Sequence, residues 1–269
     1  MASPPILADK HYGAPSAFTP ESLLRAARRQ KRLAPAVVPA ICVLDPDGDI
    51  VRRLSKDGRT THDTGWACYH TQLNRFAESD VELGIIGCAV GAAFAVLLAE
   101  ELFASGCRFL ISMTSAGQIL PLRPPPYFIL IDRALRDEGT SYHYTAPSQY
   151  STANAALLEM MGGAFDGLRV PVTQGPTWTT DAPFRETPAA IAAMRAKELL
   201  AVEMEAAALY AFATARGKPV LCFAHVTNQM GQSDSDFEKG EADGTTDALD
   251  VIVAAARRFM ERSRERHGD

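Results

Sequence analysis

The stretch LLAVEMEAAALYAFATARGKPVLCFAHVTN, residues 199–228, decides the fold class. It contains a short apolar run, an alanine-rich segment of helix length, and a second apolar run, PVLCFAHV at 219–226, of strand length. Continuous apolar runs of this length are typical of central strands that are covered on both faces. The stretch therefore predicts a strand, a helix and a strand, the alternation from which α/β proteins are built.

The same alternation runs through the rest of the chain. Predicted strands are VELGIIGCAV, RFLISM (108–113) and YFILID (127–132), with two more around the Asp-Pro-Asp-Gly turn of AICVLDPDGDIVRRL; predicted helices are FTPESLLRAARRQKRL, residues 91–105 and DALDVIVAAARRFMERSRER. Thr19, Pro20 and Glu21 suit the start of the first helix as cap, first-turn proline and dipole partner. We predict a proline-containing N-terminal arm, residues 1–17, and one α/β domain with a central sheet, residues 18–269.

Composition excludes several classes of protein. The chain has 269 residues, 47% of them hydrophobic and 22% charged, which is enough to build a full core. Its net charge of −5 argues against a broad nucleic-acid surface, and the basic run at 25–32 is interpreted as a solvated helix face. The longest apolar stretch is too short to span a bilayer, and the N-terminus lacks the layout of a signal peptide. We expect a cytoplasmic protein with no membrane or nucleic-acid partner.

The cysteines point the same way. There are five, they are widely spaced, and none lies in a CxxC or Cys/His ligand pattern. We expect reduced structural thiols and no metal site.

Two glutamates mark the junction inside the opening stretch. Glu203 and Glu205 lie between the apolar run and the helix, where burial is expected. A buried carboxylate is costly unless it is hydrogen-bonded, and a helix N-terminus favours negative charge. Such a carboxylate is also suited to accept hydrogen bonds from a vicinal diol such as the ribose hydroxyls. The alternative is an ordinary acid at a helix N-terminus.

Other junctions carry polar or glycine-rich chemistry where α/β sheets bind ligands. Residues 87–91 offer backbone amides for an anion or a ribose, or else tight strand–helix packing. The hydroxyls of Thr114 and Ser115 suit phosphate or sugar, or else cap a turn. In TWTTDAPFRET (177–187), aromatic side chains and a guanidinium suit a flat heterocycle with carbonyl groups, or else anchor their own loop. RALRDEGTSYHY (133–144) is either a surface turn with local ion pairs or part of a site.

Four segments in order carry a family resemblance. VEMEAAALYAFATARGKPVLCF resembles the signature of the nucleoside phosphorylase superfamily, which comprises uridine and purine nucleoside phosphorylases and their nucleosidase relatives. IGCAVGAAFAVLLAEEL is similar to the family's glycine-rich strand–helix segment, ISMTSAGQI to its Gly-Thr-Thr-Gly-type loop, and RALRDEGTSYHY to a uridine phosphorylase segment. Together they cover roughly residues 38–230.

The resemblance implies a fold, a reaction and an assembly. The expected fold is a single three-layer α/β domain with a twisted central mixed sheet flanked by helices. The expected reaction is cleavage of a nucleoside's N-glycosidic bond, with ribose or deoxyribose passed to phosphate or water. The resemblance implies no metal or organic cofactor, inorganic phosphate as a co-substrate, and a homo-oligomer (dimer, trimer or hexamer).

The resemblance also implies roles for individual residues. Glu205 would hold the ribose hydroxyls, with Met204 beneath the sugar and Glu203 beside it, and Ser115 would contact phosphate and sugar. Further substrate-binding candidates are Ala116, Gly117, Trp178, Phe184, Arg185 and His143, and further phosphate-binding candidates are Gly91, Thr114 and Arg136. Asn228 lies where many relatives carry a proton-donating Asp. An amide donates a hydrogen bond but no proton, so a pyrimidine or 6-oxopurine base is favoured over adenine.

The sequence departs from the family at the phosphate site. Leu44 and Gly48 stand at the Gly and Arg places of the family's Gly-Asp-Pro-x-Arg turn, and Ser112 stands where an arginine often precedes the Gly-Thr-Thr-Gly loop. We therefore expect weak phosphate binding, with Arg52, Arg53 or Arg136 as possible substitutes.

Three functions remain open on the sequence. The first is a phosphorylase, and the second is a hydrolytic nucleosidase or a biosynthetic glycosyl-transferring enzyme, although the hydrolases' water-activating glutamate near the N-terminus is not evident. The third is a non-catalytic binding or storage protein.

Overall fold

The computed structural model describes residues 4–229 and 244–267. Its helices are α1 Pro20–Lys31, α2 Asp49–Lys56, α3 Ala92–Ala104, α4 Ala155–Met160, α5 Pro188–Ala196, α6 Ala206–Arg216 and α7 Thr245–His267. Its strands are β1 Ile41–Asp45, β2 Thr61–His62, β3 Asn74–Glu78, β4 Val81–Gly87, β5 Phe109–Gln118, β6 Tyr127–Asp137, β7 Tyr150–Thr152, β8 Val172–Thr180, β9 Ala201–Glu203 and β10 Val220–Gln229. Short 3-10 helices cover Pro5–Leu7, Thr140–His143 and Pro183–Arg185.

The strands form one ten-stranded mixed sheet in the order β10-β6-β8-β9-β5-β1-β4-β3-β2, with β7 paired to β6. Strand β10 also pairs with β5, so β5, β10, β6, β8 and β9 close into a ring that the remaining strands extend. Helices pack against this sheet, with α6 buried along most of its length. The expected α/β domain with a central mixed sheet flanked by helices is confirmed.

One edge of β5 lies open in the middle of the sheet. Strand β1 pairs with β5 as far as Leu44 and Ser112, and β9 begins pairing at Val202 and Gly117. Residues 113–116 therefore have no strand partner on that side within the described chain, while β10 pairs along their other side. Ligands in α/β proteins bind where neighbouring strands diverge in this way. We call residues 113–116 of β5 the strand gap.

Small side chains explain how α6 packs so closely on the sheet. Its alanines at 206–208 and 211 are buried, which lets the helix backbone approach the strands. The Tyr210 hydroxyl then donates to the carbonyl oxygen of Ile131 at 2.6 Å and accepts from the amide of Cys222 at 3.0 Å. These two bonds join α6 to β6 and β10, so the position of the α6 N-terminus is set by the core.

The predicted strand after the Asp-Pro-Asp-Gly turn is wrong, because that segment is helix α2. The Asp45 carboxylate accepts from the amides of Gly48 at 3.1 Å and Val51 at 2.9 Å, which satisfies donors at the helix start. Ile50 and Leu54 are both buried, and a spacing of four places them on one helical face. This cap and spacing favour a helix over the strand that the apolar residues suggested.

Two strands run further than the sequence predicts, and a third, β8, is not among the predicted strands. Strand β5 continues past Met113 to Gln118, β6 continues to Asp137, and β8 extends to Thr180, through part of the predicted 177–187 loop. In β5 the extension is held by pairing with β10, whose partners run from Leu110 to Gln118. Strand pairing across the sheet therefore overrides the turn-like composition of these segments.

The two terminal helices behave as predicted. In α1 the Thr19 side chain accepts from the amide of Ser22, with Pro20 in the first turn. Helix α7 presents buried residues such as Ile252 and Ala256 to the core. No described helix is long and apolar enough to cross a membrane.

The described part of the arm contains only the 3-10 helix at Pro5–Leu7 before α1. It contacts the Thr140–His143 turn, where the Tyr12 hydroxyl donates to the carbonyl oxygen of Tyr142 at 3.3 Å. The division of the chain at residues 17 and 18 stays a prediction.

Candidate active site

Glu203 fixes the junction between β9 and α6. One carboxylate oxygen accepts from the hydroxyls of Thr177 at 3.1 Å and Thr179 at 2.5 Å. The other accepts from the backbone amides of Glu205 and Ala206, each at 2.7 Å. Burial raises the pKa of Glu203, and these donors act against the rise. With four protein donors, Glu203 is a structural carboxylate that orients the start of α6.

Thr177 and Thr179 are residues beside the site, holding Glu203, that the sequence interpretation did not assign. They are two apart on β8, so their side chains lie on the same face of the strand. Thr179 also accepts from the amide of Ala207 at 2.9 Å, which links β8 to the first turn of α6. The Thr-x-Thr spacing was visible in TWTTDAPFRET, but only the fold places it beneath a glutamate.

Glu205 lies in the interior, and within the described residues one of its two carboxylate oxygens is hydrogen-bonded. Its residue is 1% exposed, and Oε1 accepts from the backbone amide of Gly91 at 2.8 Å. Oε2 has no hydrogen-bonding partner within the described residues, where no arginine or lysine pairs with Glu205 either. Burial, and next the negative charge of Glu203, raise the pKa of Glu205 to about 8.

The Gly91 amide brings two predicted junctions face to face. Gly91 precedes α3 with φ +92°, a conformation that side-chain-bearing residues rarely adopt. The glycine-rich junction after β4 thus supplies a hydrogen-bond donor to Glu205, in the junction after β9. The sequence analysis assigned the Gly91 amide to phosphate, whereas in the structure this amide donates to the carboxylate of Glu205.

A small cavity lies beside the strand gap. Its volume is about 20 Å³, enough for about one water molecule. Its polar lining comprises Asp45, Asp47, Asp49, Thr114, Ser115, His225 and Thr245. Thr114 and Asp47 are also close enough to act on the pKa of Glu205, so the cavity lies near that carboxylate.

Aspartates, not arginines, surround this cavity. The Ser115 amide in the strand gap donates to Oδ2 of Asp47 at 3.2 Å. Burial raises the pKa of Asp45 to about 7, and the charges of Asp47 and Asp49 add to the rise. Asp49 pairs with Arg52, whose side chain is 58% exposed. The cavity is therefore strongly acidic.

The backbone at Gly48 disfavours an arginine at this position. Its φ is +75°, and an added Cβ would lie 2.7 Å from both the Arg52 guanidinium and the Cys88 sulfur. Ser112, at the other expected arginine position, is 1% exposed within β5. The position of Gly48 disfavours a side chain, and the position of Ser112 is buried in β5, so neither of the family's two cations is present here.

The candidate substitutes for those cations have other partners. Arg136 donates to the Ser141 and Ser148 hydroxyls and to backbone carbonyls of the same loop, and its guanidinium lies 4.3 Å from the Tyr142 ring centre. It does not line the cavity. Arg53 pairs with Asp57 at 2.8 Å. Arg136 organises residues 141–148, and its predicted phosphate contact has no support in this geometry.

The residues assigned to the base do not form one surface. Trp178 is 3% exposed, packs with Val202 and other apolar residues, and donates from Nε1 to Asp137 at 3.0 Å. Phe184 is 99% exposed, and Arg185 is also exposed. Because Trp178 is buried and Phe184 faces outward, the aromatic platform predicted from residues 177–187 does not form within the described chain. His143 is exposed, with Nδ1 3.0 Å from the Lys10 ammonium.

The remaining predicted residues lie near the strand gap. Ala116 and Gly117 belong to β5, and Met204 is half-buried between the two glutamates. The backbone of Asn228 pairs with Gly117, which brings β10 to the same place. The Asn228 side chain lies outside the described part of the structure. In the described residues, no group of three or more His, Cys, Asp or Glu side chains has an arrangement that would hold a metal ion.

Comparisons with known proteins agree with this architecture. A family model described as the phosphorylase superfamily matches residues 40–262. The fold is similar to the crystal structure of uridine phosphorylase from Vibrio fischeri ES114, with a TM-score of 0.68, 19% identity, and coverage of 86% of this chain and 94% of that one. A complex of the Vibrio fischeri enzyme with 6-hydroxy-1-naphthoic acid gives a TM-score of 0.68 and 18% identity, covering 86% and 93%. No curated protein matches the sequence.

Proposed function

The chain belongs to the phosphorylase superfamily, and from that premise we propose that it cleaves the N-glycosidic bond of a nucleoside. The observation that carries the proposal is Glu205, a buried carboxylate with one oxygen fixed by Gly91 and the other without a partner in the described residues. Such an oxygen is available to a sugar hydroxyl, whereas the neighbouring Glu203 is already bonded by the protein.

Glu205 suits the charge that develops in this reaction. As the base departs, the sugar becomes oxocarbenium-like and positive charge builds on it. A nearby positive charge lowers the pKa of a carboxyl, so Glu205, raised to about 8 in the ligand-free protein, shifts toward its ionised form as the bond breaks. Its interaction with the sugar therefore strengthens in the transition state, which is the condition for catalysis.

The choice of base rests on the sequence. Asn228 donates a hydrogen bond but no proton, so we propose a pyrimidine or 6-oxopurine nucleoside. The similarity to uridine phosphorylase at 19% identity concerns the fold and leaves the base open. Assembly as a homo-oligomer and a cytoplasmic location also stay predictions.

The identity of the acceptor does not change the proposed role of Glu205 in the departure of the base from the sugar. Phosphate is the acceptor predicted from the family resemblance, and water is the second candidate. The specific observation that favours water is the acidic cavity beside the strand gap, with Asp45, Asp47 and Asp49 in its lining.

A panel of ribo- and deoxyribonucleosides tests the proposal. Each is incubated with the enzyme, with and without phosphate, and release of free base is measured. We expect release from at least one pyrimidine or 6-oxopurine nucleoside. Binding of nucleosides without any base release would instead support a non-catalytic binding protein, and absence of both would reject the function.

A further inference from the structure

We propose that Asp47 is the residue that selects the acceptor: its carboxylate occupies the oxyanion position at the Ser115 amide, excludes phosphate, and leaves water as the acceptor of the pentosyl group. This rests on the proposed function for the reaction itself. The exclusion of phosphate is a binding property, so it can be tested independently of whether the enzyme cleaves nucleosides.

The first step of the argument is the Ser115 amide. It lies in the strand gap, where β5 has no strand partner on the side of β1. A backbone amide at such an edge is a donor that a bound oxyanion would use. In this chain the amide donates to Oδ2 of Asp47 at 3.2 Å, so an internal anion already satisfies it.

Asp47 differs in this respect from the other two aspartates of the cavity. The Asp45 carboxylate accepts from the Gly48 and Val51 amides and caps α2. Asp49 pairs with Arg52 on the same helix. Asp47 accepts from the Ser115 amide in the strand gap, which makes it the residue that competes with an incoming anion there.

Charge also opposes phosphate, apart from this bond. Phosphate is largely a dianion at neutral pH, and three aspartates line the cavity. Because the pKa of Asp45 is raised to about 7 and Asp49 pairs with an arginine, the carboxylate of Asp47 matters most to this repulsion. His225 is the one basic side chain in the described lining, and it stacks on Phe128 at 4.5 Å. Like charges a few ångströms apart repel one another, and the repulsion is stronger in a partly buried site than in bulk water. The charge balance therefore opposes phosphate at this position.

Size and polarity fit water. The cavity volume of about 20 Å³ holds about one water molecule. Thr245, which lines the cavity at 2% exposure, has a hydroxyl without a hydrogen-bonding partner in the described residues. A water between this hydroxyl and the aspartates would have donors and acceptors on both sides.

The reaction balances with water alone. The water oxygen forms a bond to C1′ as the C1′–N bond breaks, and the bonding electron pair leaves with the base. One proton passes from the water to a cavity carboxylate and on to solvent, and the base nitrogen takes one proton from solvent. The products are a free pentose and the free base, and no oxidant, reductant or metal is consumed.

The test uses Asp47→Ala and Asp47→Asn, with Asp57→Asn as the matched control. Asp57 follows the far end of α2, where it pairs with Arg53 away from the cavity. Inorganic phosphate binding is measured by calorimetry on the folded proteins. We expect Asp47→Ala to bind phosphate at least about tenfold more tightly than wild type, because it loses a negative charge and frees the Ser115 amide. Asp47→Asn loses only the charge, so its gain is smaller, and Asp57→Asn is unchanged.

Product analysis supplies the second arm. For wild type we expect the same rate of base release with and without phosphate, and a free pentose with no pentose 1-phosphate as product. Formation of pentose 1-phosphate by wild type, or phosphate binding by Asp47→Ala no tighter than by wild type, overturns the proposal. If wild type releases no base at all, the proposed function fails while the calorimetric comparison still decides whether Asp47 excludes phosphate.

Discussion

Adjacent carboxylates of one junction have opposite tasks at the residue scale. Glu203 and Glu205 are two residues apart, both are almost completely buried, and the pKa of each is raised by burial. Glu203 is surrounded by four donors from β8 and the α6 N-terminus. Within the described residues, Glu205 accepts from the Gly91 amide, and the Thr114 hydroxyl lies close enough to lower its pKa. The difference in hydrogen bonding, and not the residue type, separates the structural acid from the candidate catalytic one.

The first prediction concerns Glu205. Replacing it with Gln keeps the shape but removes the negative charge that stabilises the sugar, so kcat/KM for base release should fall on the order of 100- to 1000-fold. Glu198→Gln, an exposed residue after α5, serves as control and should retain wild-type activity. Near-normal turnover by Glu205→Gln, with unchanged thermal stability, would reject the role of Glu205.

The second prediction concerns Thr179. Thr179→Val keeps the volume but removes a bond to Glu203 and an acceptor for the Ala207 amide, leaving buried polar groups unsatisfied. Unfolding free energy should fall by about 1–3 kcal/mol. Denaturant titration measures this change, and Thr173→Val, at a half-buried position on the same strand, is the comparison. Equal effects of the two substitutions would contradict the claim.

At the scale of elements, helix starts and strand ends assemble the site. Helix α3 begins after Gly91 and helix α6 begins after Glu205, and the two starts meet through the bond between the Gly91 amide and the Glu205 carboxylate. The loop before α2 brings Asp47 to the middle of β5. Each contribution comes from a different segment of the chain, so the packing of three helices on one sheet defines the site.

A glycine substitution tests this arrangement. In Gly91→Ala the added methyl meets nothing within 4 Å, so its cost comes from the backbone at φ +92°. We expect a loss of about 1–3 kcal/mol of stability together with a large loss of activity, because relaxation turns the amide away from Glu205. Gly167→Ala is the matched control, since its φ is +82° and its Cβ also meets nothing within 4 Å. Gly167→Ala should lose stability but keep activity. If the two variants lose similar activity, backbone strain alone accounts for the loss, and the contact between the Gly91 amide and Glu205 is not needed to explain it.

At the scale of the whole molecule, two acids are buried in the interior, where ionisation is unfavourable. The pKa of Glu205 is raised from 4.5 to about 8 and that of Asp45 from 3.8 to about 7, each first of all by burial. Burying acids in this state costs stability whenever they ionise. The strands close into a ring, and β10 pairs along the side of β5 opposite the strand gap. This pairing fixes the sheet beside which the two acids lie.

This predicts how stability depends on pH. Asp45 and Glu205 bind protons more tightly in the folded than in the unfolded chain, because their pKa values are raised on folding. Their contribution to the free energy of unfolding is therefore fully present below their unfolded-state pKa values, and it is lost as pH rises through about 7 for Asp45 and about 8 for Glu205. The slope per group is at most about 1.4 kcal/mol per pH unit. Unfolding free energies of wild type and Glu205→Gln, measured between about pH 5 and pH 8, should converge at the acid end, and wild type should lose stability faster. Parallel curves would show that Glu205 ionises normally.

The sequence determined the parts that depend on local pattern. The apolar runs and the alanine-rich segment of residues 199–228 predicted the strand, the helix and the following strand, and Thr19 and Pro20 predicted the start of α1. The two glutamates at the β9–α6 junction were identified as the chemical centre, because a buried carboxylate is costly unless it is hydrogen-bonded or binds a ligand. These features follow from periodicity and capping, which act within a few residues.

Only the tertiary structure decided which groups meet. It made the segment after the Asp-Pro-Asp-Gly turn a helix, extended β5 through Ser115, buried Trp178 and exposed Phe184. It also gave the Gly91 amide to Glu205 and the Ser115 amide to Asp47. These pairings join residues 114 and 68 positions apart in the chain. Hydrogen bonds and burial at such separations depend on how the sheet closes, and no local pattern encodes that.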